Sequence, residues 1–176
     1  MARLNLGCGT DIRKGYVNLD SVKLPGVDKV HDLNKVPYPF KDNTFDEIYA
    51  SHVIEHLEDL PKVMKELRRI SKPGGRVIIR VPFFPSMYAA SDPTHKHFFT
   101  YLTWDYFCDP ACNHVFGDLS KSGPYFKILR RKIVFSWNPF LRWIGSIINA
   151  FPVFYQRYLA FILPSNELKV VLGVVK

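Results

Sequence analysis

Leu4-Asn5-Leu6-Gly7-Cys8-Gly9-Thr10-Asp11 decides the reading of this chain. A short apolar run stops at a Gly-Cys-Gly turn. A second run, Tyr16-Val17-Asn18-Leu19, stops at Asp20, eleven residues beyond Gly9. Glycines at the end of a first strand let the backbone come close to a ligand, because no Cβ intervenes. A carboxylate closing the second strand can accept hydrogen bonds from two ribose hydroxyls. The pair suits an adenosine-type ligand lying across the ends of a parallel sheet. The third glycine of the dinucleotide fingerprint is missing, since Ile12 stands in its place, so the motif alone is only moderately specific.

Working outward, Val27 to Val30 leads to His31-Asp32-Leu33, a short third strand ending in a carboxylate. Pro37 to Thr44 has turn chemistry throughout. Phe45-Asp46-Glu47-Ile48-Tyr49-Ala50-Ser51 reads as a fourth strand. From His52 to Ser71 apolar residues recur with a helical period, with Pro61 restarting the helix near its middle. Lys72-Pro73-Gly74-Gly75 stops that helix, and Arg76 to Pro82 is a β-branched strand. Strands alternating with helices predict an α/β fold: a Rossmann-like, doubly wound, mostly parallel sheet with helices on both faces. About ten residues for the first crossover is the minimum for such a unit, so its helix is a turn or two, or absent. Two later runs, Phe126 to Trp137 and Leu168 to Val175, predict an antiparallel strand pair at the sheet edge.

The 176 residues form one domain, with a binding half over 1–82, an acceptor-side insert over 83–125 and the edge strands with a hydrophobic helical segment over 126–176. An apolar share of 47% with 23% charged residues is that of a folded globular chain. Three cysteines, Cys8, Cys108 and Cys112, match no zinc-pair spacing and favour a reducing compartment. With no basic leader at the start, a cytoplasmic location is the expectation. The net charge of +8 suits an acidic partner, but outside Arg68-Arg69 and Arg130-Arg131-Lys132 the basic residues are scattered as on a solvated surface.

Taken in order, these segments resemble the class I S-adenosylmethionine-dependent methyltransferases, in their small type-11-like branch. LNLGCG resembles the family's first motif, PYPFKDNTFDEIYASHVIEHL its fourth-strand motif, and KPGGRVIIRVP its turn into the fifth strand. The resemblance implies S-adenosylmethionine as cofactor. It places Leu6, Gly7, Cys8 and Gly9 beneath the methionine portion, Asp20 with Ser21 at the ribose, Asp32 and Leu33 at the adenine, and Ser51 and His52 beside the sulfonium. The alternative for Asp20 and Asp32 is a turn or helix-cap role. The short first crossover departs from the family and implies a more open pocket, or one completed by a partner or by the insert.

Two histidine clusters remain. His52-Val53-Ile54-Glu55-His56 matches the string of inverted zinc peptidases, which on a helix sets two imidazoles on one face. No third acidic ligand is visible on a clear helix, the string is ordinary in the resembled branch, and no metal is expected. Asp92-Pro93-Thr94-His95-Lys96-His97 follows the fifth strand, on the side where the family places its acceptor. His95, or after it His97, could take a proton from an acceptor hydroxyl with Asp92 orienting the ring. The plainer reading is a loop held in a turn. His114 stays unassigned.

Between Ile133 and Pro164 there is no acidic residue, and the basic ones are Arg142 and Arg157. Helices over about 139–150 and 152–163 are expected, covering a sheet face or forming a homodimer contact, or else lying on a membrane surface near a lipid-linked acceptor. The sequence thus points to a methyltransferase for a hydroxyl of a sugar, glycan or other small molecule. Nucleic acid is a less favoured acceptor, because Ser51-His52-Val53 replaces the amino-methylation motif after the fourth strand. The competing readings are a cofactor-binding regulatory protein without turnover, an RNA methyltransferase and, more remotely, a zinc hydrolase.

Overall fold

The computed structural model describes residues 1–108 and 125–176. Seven strands form one sheet: β1 (Arg3–Leu6), β2 (Val17–Asp20), β3 (Lys29–Val30), β4 (Phe45–Ser51), β5 (Ser71–Pro82), β6 (Phe126–Val134) and β7 (Glu167–Val174). Their order is β3-β2-β1-β4-β5-β7-β6. β1 to β5 run parallel, and β7 lies antiparallel between β5 and β6. The order reverses between β1 and β4. At that switch point the ends of two neighbouring strands open a crevice.

The core is built on one face of this sheet. Leu4, Leu6, Leu19, Ile48, Ala50, Val77 and Ile79 alternate along the strands and are fully buried. α1 (Leu60–Ile70) packs there through Val63, Met64, Leu67 and Ile70. Asp59 caps α1 by accepting from the Lys62 N–H, and Pro61 occupies its first turn. Pro61 therefore starts the helix. Upstream, Ile54–His56 is a single 3-10 turn and His52 has φ of 51°, so His52 and His56 do not share a helix face.

The wrapping is thinner than the alternation of segments implied. Residues 7–16, 21–28 and 31–44 connect parallel strands without a helix. The first connection folds back over the polar face instead. Asn5 donates to the Asp11 carbonyl, the Arg13 N–H donates to Asn18, and the Arg13 guanidinium sits 3.5 Å from the centre of the Tyr49 ring. Tyr16 donates to Glu47, whose other oxygen meets Arg76 at 3.1 Å. Buried Asn5, Asn18 and Glu47 are thus satisfied by a loop where an apolar layer would reject them. Residues 31–44 are fastened to α1 by Glu66, which accepts from the Tyr38 N–H, and by Arg69, which donates to the Tyr38 and Phe40 carbonyls.

α3 (Arg142–Ala150), after a short α2 (Met87–Ser91), stands against the outer edge of β6. Asn149 accepts from the Ile133 N–H at 2.8 Å and donates to its carbonyl at 2.7 Å. The helical run resumes over Pro152–Phe154 and Tyr155–Leu159. Ile148, Tyr155 and Ala160 reach the core, but Phe140 is 84% and Ile162 80% exposed, and Trp143, Phe151 and Phe161 are exposed too. α3 meets the sheet along β6. Among the described residues no helix is long and apolar enough to cross a membrane.

Two carboxylates tie the parallel half and set its acid sensitivity. The Asn18 N–H holds the Asp28 carboxyl below its ordinary range, and Lys72, then the Ala2 N–H, do the same for Asp46. The native state therefore binds fewer protons than the unfolded chain as pH falls through about 4, where free Asp titrates. This contribution is complete above that pH and is lost as the folded carboxyls protonate below it. The urea midpoint is expected to fall steeply below about pH 4, and Asp28→Asn to flatten that dependence.

Candidate active site

The Gly7-Cys8-Gly9 turn sits at the switch point. The Cys8 N–H donates to the Leu19 carbonyl at 3.0 Å, extending the β1–β2 ladder past the end of β1. The Gly9 N–H donates to Asp20 Oδ2 at 2.7 Å, and the Val22 N–H to Oδ1 at 3.1 Å. The Cys8 and Gly9 N–H groups are spent inside the fold, so what these two residues offer a ligand is close backbone approach. Gly7 has φ of +61°, and a Cβ there would come within 2.3 Å of Val53 Cγ2. Gly9 has φ of +48°, and a Cβ there would meet nothing within 4 Å. The turn is therefore packed from below by Val53 and open above. A carboxylate has about four acceptor positions; Asp20 gives two to the Gly9 and Val22 N–H groups and a long third to the Ser21 hydroxyl at 3.4 Å, so a pair of hydroxyls fits once the Ser21 hydroxyl turns away. This fits a ribose-bearing cofactor.

The other expected cofactor residues divide. Ser51 ends β4, and His52 continues its ladder by donating its N–H to the Arg80 carbonyl. The Ser21 hydroxyl donates to Asp20 at 3.4 Å. Asp32 accepts the Asn34 N–H at 3.0 Å, which lowers its carboxyl and makes it a turn residue as well. Leu6 and Leu33 are buried among core side chains, and their side chains face the interior. The Cys8 thiol is pushed up by burial and then by the Asp20 charge, so it stays protonated.

Beyond β4 and β5 lies a cavity of about 560 Å³ lined by His52, Glu55, His56, Asp92, His95 and Trp137, among others. Pro82 and Asn166 form its floor at the β5–β7 junction, which is locked behind by Arg80 paired to buried Glu167. Tyr88 and Trp137 meet at 5.1 Å and wall one side. His95 is here, its Nδ1 facing the Ala89 carbonyl at 3.0 Å. A carbonyl only accepts, so Nδ1 bears the proton and the neutral ring holds its lone pair on Nε2.

His97 is not brought to this cleft. Its Nε2 donates to the Leu57 carbonyl at 2.8 Å and anchors the loop. Asp92 lines the cleft but stands 3.9 Å from His95 Nε2, too far to orient it. It accepts instead from the Thr94 N–H and hydroxyl, which hold its carboxyl low. Glu55 and His56 are residues of the cleft that the sequence reading set aside with the zinc string. The string was noticed, but nothing local showed that the loop of Asp92 to His97 folds onto it. Cys112 and His114 lie outside the described residues.

Comparison with known proteins agrees with this geometry. The methyltransferase-domain family, of the type-11 kind, matches residues 4–79. A sterol 4-C-methyltransferase of Caenorhabditis elegans is 49% identical over 41 residues, 23% of this chain and 12% of that protein. A demethylmenaquinone methyltransferase of Bacillus mycoides is 33% identical over 73 residues, 42% of this chain and 30% of that protein. The match thus spans under a third of these relatives' own lengths. The fold is shared with an S-adenosylmethionine-dependent methyltransferase of Archaeoglobus fulgidus, TM-score 0.60 at 16% identity over 98% of this chain and 86% of that one. It is shared also with a chain of the Haloferax volcanii complex between the Trm112 methyltransferase activator and a methyltransferase, TM-score 0.62 at 15% identity over 99% of this chain and 83% of that one. The matched motifs, the strand order and the turn at the switch point agree: residues 4–79 match the methyltransferase-domain family of the type-11 kind, and the chain has the fold of S-adenosylmethionine-dependent methyltransferases.

Proposed function

We propose that the protein transfers a methyl group from S-adenosylmethionine to an oxygen of a small-molecule or glycan acceptor. The observation that carries this is the histidine-lined cleft at the ends of β4 and β5, which begins at His52, one residue past the strand beside the glycine turn. Bound S-adenosylmethionine supplies an electrophilic methyl group on a sulfonium. The chain contributes position. Holding acceptor and methyl in line can supply ~7–11 kcal/mol of the barrier. Asp20 would hold the ribose, the glycine turn the methionine portion, and the cleft would admit the acceptor while Tyr88 and Trp137 exclude water from one side.

His95 is the proposed proton acceptor, since its lone pair is held on the ring nitrogen that its carbonyl partner leaves unused. His95→Ala is expected to lower kcat about 10²- to 10⁴-fold and leave S-adenosylhomocysteine affinity unchanged. Calorimetry with S-adenosylhomocysteine, followed by a mass-spectrometric screen of sugar and phenol acceptors, tests the reading. Saturable binding with no methylation of any acceptor would favour a regulatory cofactor-binding protein.

An acceptor carrying an apolar chain, met at a membrane surface, is supported by the exposed aromatic helices beside β6. Deleting 139–163 would remove core residues Ile148 and Tyr155, so point changes are the cleaner test. A Phe140→Ser, Trp143→Ser, Phe161→Ser triple variant is expected to lose sedimentation with anionic vesicles at unchanged thermal stability. Equal sedimentation would assign these residues to a protein contact. The Haloferax complex makes a protein activator a second candidate for that surface.

A further inference from the structure

Two imidazoles and a buried carboxylate converge in the cleft with their hydrogen bonding left incomplete. Glu55 is 1% exposed, and neither of its carboxylate oxygens has a hydrogen-bond partner. His52 Nδ1 lies 3.3 Å from Oε1 but off the line of a hydrogen bond. A carboxylate withdrawn from water without partners is costly unless a cation meets it.

The rings beside it are prepared as donors of lone pairs. Thr94 has one hydroxyl proton and gives it to Asp92 at 2.7 Å, so it accepts from His56 Nδ1 at 2.9 Å. Nδ1 then bears the ring proton of His56 and Nε2 the lone pair. His95 repeats the pattern against the Ala89 carbonyl. The two ring centres are 4.8 Å apart. One ligand atom from each of Glu55, His56 and His95 lies within 4.8 Å of the other two.

We propose that Glu55, His56 and His95 form a binding site for a divalent first-row transition ion. One carboxylate oxygen and two imidazole nitrogens suit Zn²⁺, Co²⁺ or Fe²⁺ better than Mg²⁺ or Ca²⁺, which prefer an oxygen set. Bonds of about 2.0–2.2 Å put ligand atoms about 3.3 Å apart in a tetrahedral site, so the three side chains close inward by rotation. The outer partners of a built metal site are in place: Asp92 through Thr94 orients His56, and Ala89 orients His95. The remaining coordination positions open on the cleft, where a water or an acceptor hydroxyl can bind. The sequence string suggested pairing His52 with His56. The fold pairs His56 with His95 from the loop beyond β5. Metal and proton draw on the same His95 lone pair, so His95 can act as the base only in the metal-free chain, and each role is tested separately.

The test uses the full chain after chelator treatment, titrated with Zn²⁺ by calorimetry and with Co²⁺ by visible absorption. One ion per chain is expected, with a Co²⁺ spectrum free of thiolate bands, which separates this site from Cys8 and Cys108. Thr94→Ala keeps every ligand and is expected to weaken Co²⁺ about 10- to 100-fold. His56→Ala and Glu55→Gln are expected to weaken it further. Should Glu55→Gln fail to fold, the partly exposed His56 carries the test. No saturable binding by folded protein, or equal binding by His56→Ala, overturns the proposal. S-adenosylhomocysteine titration of the metal-free chain reads the methyltransferase proposal separately.

Discussion

Gly7→Ala is expected to destabilise the fold by about 2–5 kcal/mol. Two causes add. A side chain at φ of +61° costs about 1–2 kcal/mol, and forcing a Cβ against Val53, 2.3 Å away, adds about 1–3. Urea denaturation measures the sum. Val53→Ala in the same chain is expected to recover the second part and leave the first. At Gly9 the same change meets open space, so only the conformational cost of about 1–2 kcal/mol is expected there. Its larger consequence is for the cofactor, which the methyl group would hold away from the turn. A Gly9→Ala protein that loses stability and affinity in equal measure would place the cofactor elsewhere.

Asp20→Ala is expected to weaken S-adenosylhomocysteine about 10²- to 10⁴-fold. Hydrogen bonds to a charged group contribute about 1.5–3 kcal/mol each, and two ribose hydroxyls are lost together. The same carboxylate holds the Gly9 and Val22 N–H groups, so the substitution also loosens the glycine turn. Asp20→Asn separates the two roles. One carbonyl oxygen can still brace the turn, while the amide NH₂ repels the donors around it, so stability is expected to recover more than affinity. Unchanged affinity in Asp20→Ala, measured by calorimetry, would make Asp20 a brace for the turn alone.

What could be read in advance was whatever short stretches of chemistry dictate. The end of β1 announces itself because an apolar run meets glycines, and β2 because it closes on Asp20. The β6–β7 pair follows from two alternating runs at the end of the chain. What escaped depends on contacts between distant segments. The polar alternation of Asn5, Asn18 and Glu47 contained the clue that one sheet face lacks an apolar cover. It becomes intelligible only when the loop of Asp11 to Tyr16 is seen folded onto them. His95 and His97 are two residues apart with the same local surroundings, yet one lines the cleft and the other ties down Leu57. Glu55 stood in the zinc string, and its isolation appears only with the loop beyond β5 in place. A helix over about 139–150 was expected from the nearly uncharged aromatic stretch, and the α-helix found is Arg142–Ala150. Its position at the sheet edge was not legible, since apolar stripes do not say which apolar surface they meet.

The amide of Asn149 has a consequence beyond local packing. An outermost strand offers unpaired backbone groups that another chain can join by adding a strand of its own, and such growth has no natural end. At Ile133 both of those groups are already taken by one side chain, which imitates the missing neighbour for a single rung. Farther along, Arg130 and Lys132 place like charges where an identical strand would have to lie. At that rung the last strand is closed to a copy of itself, and the neighbouring like charges disfavour its pairing with an identical strand.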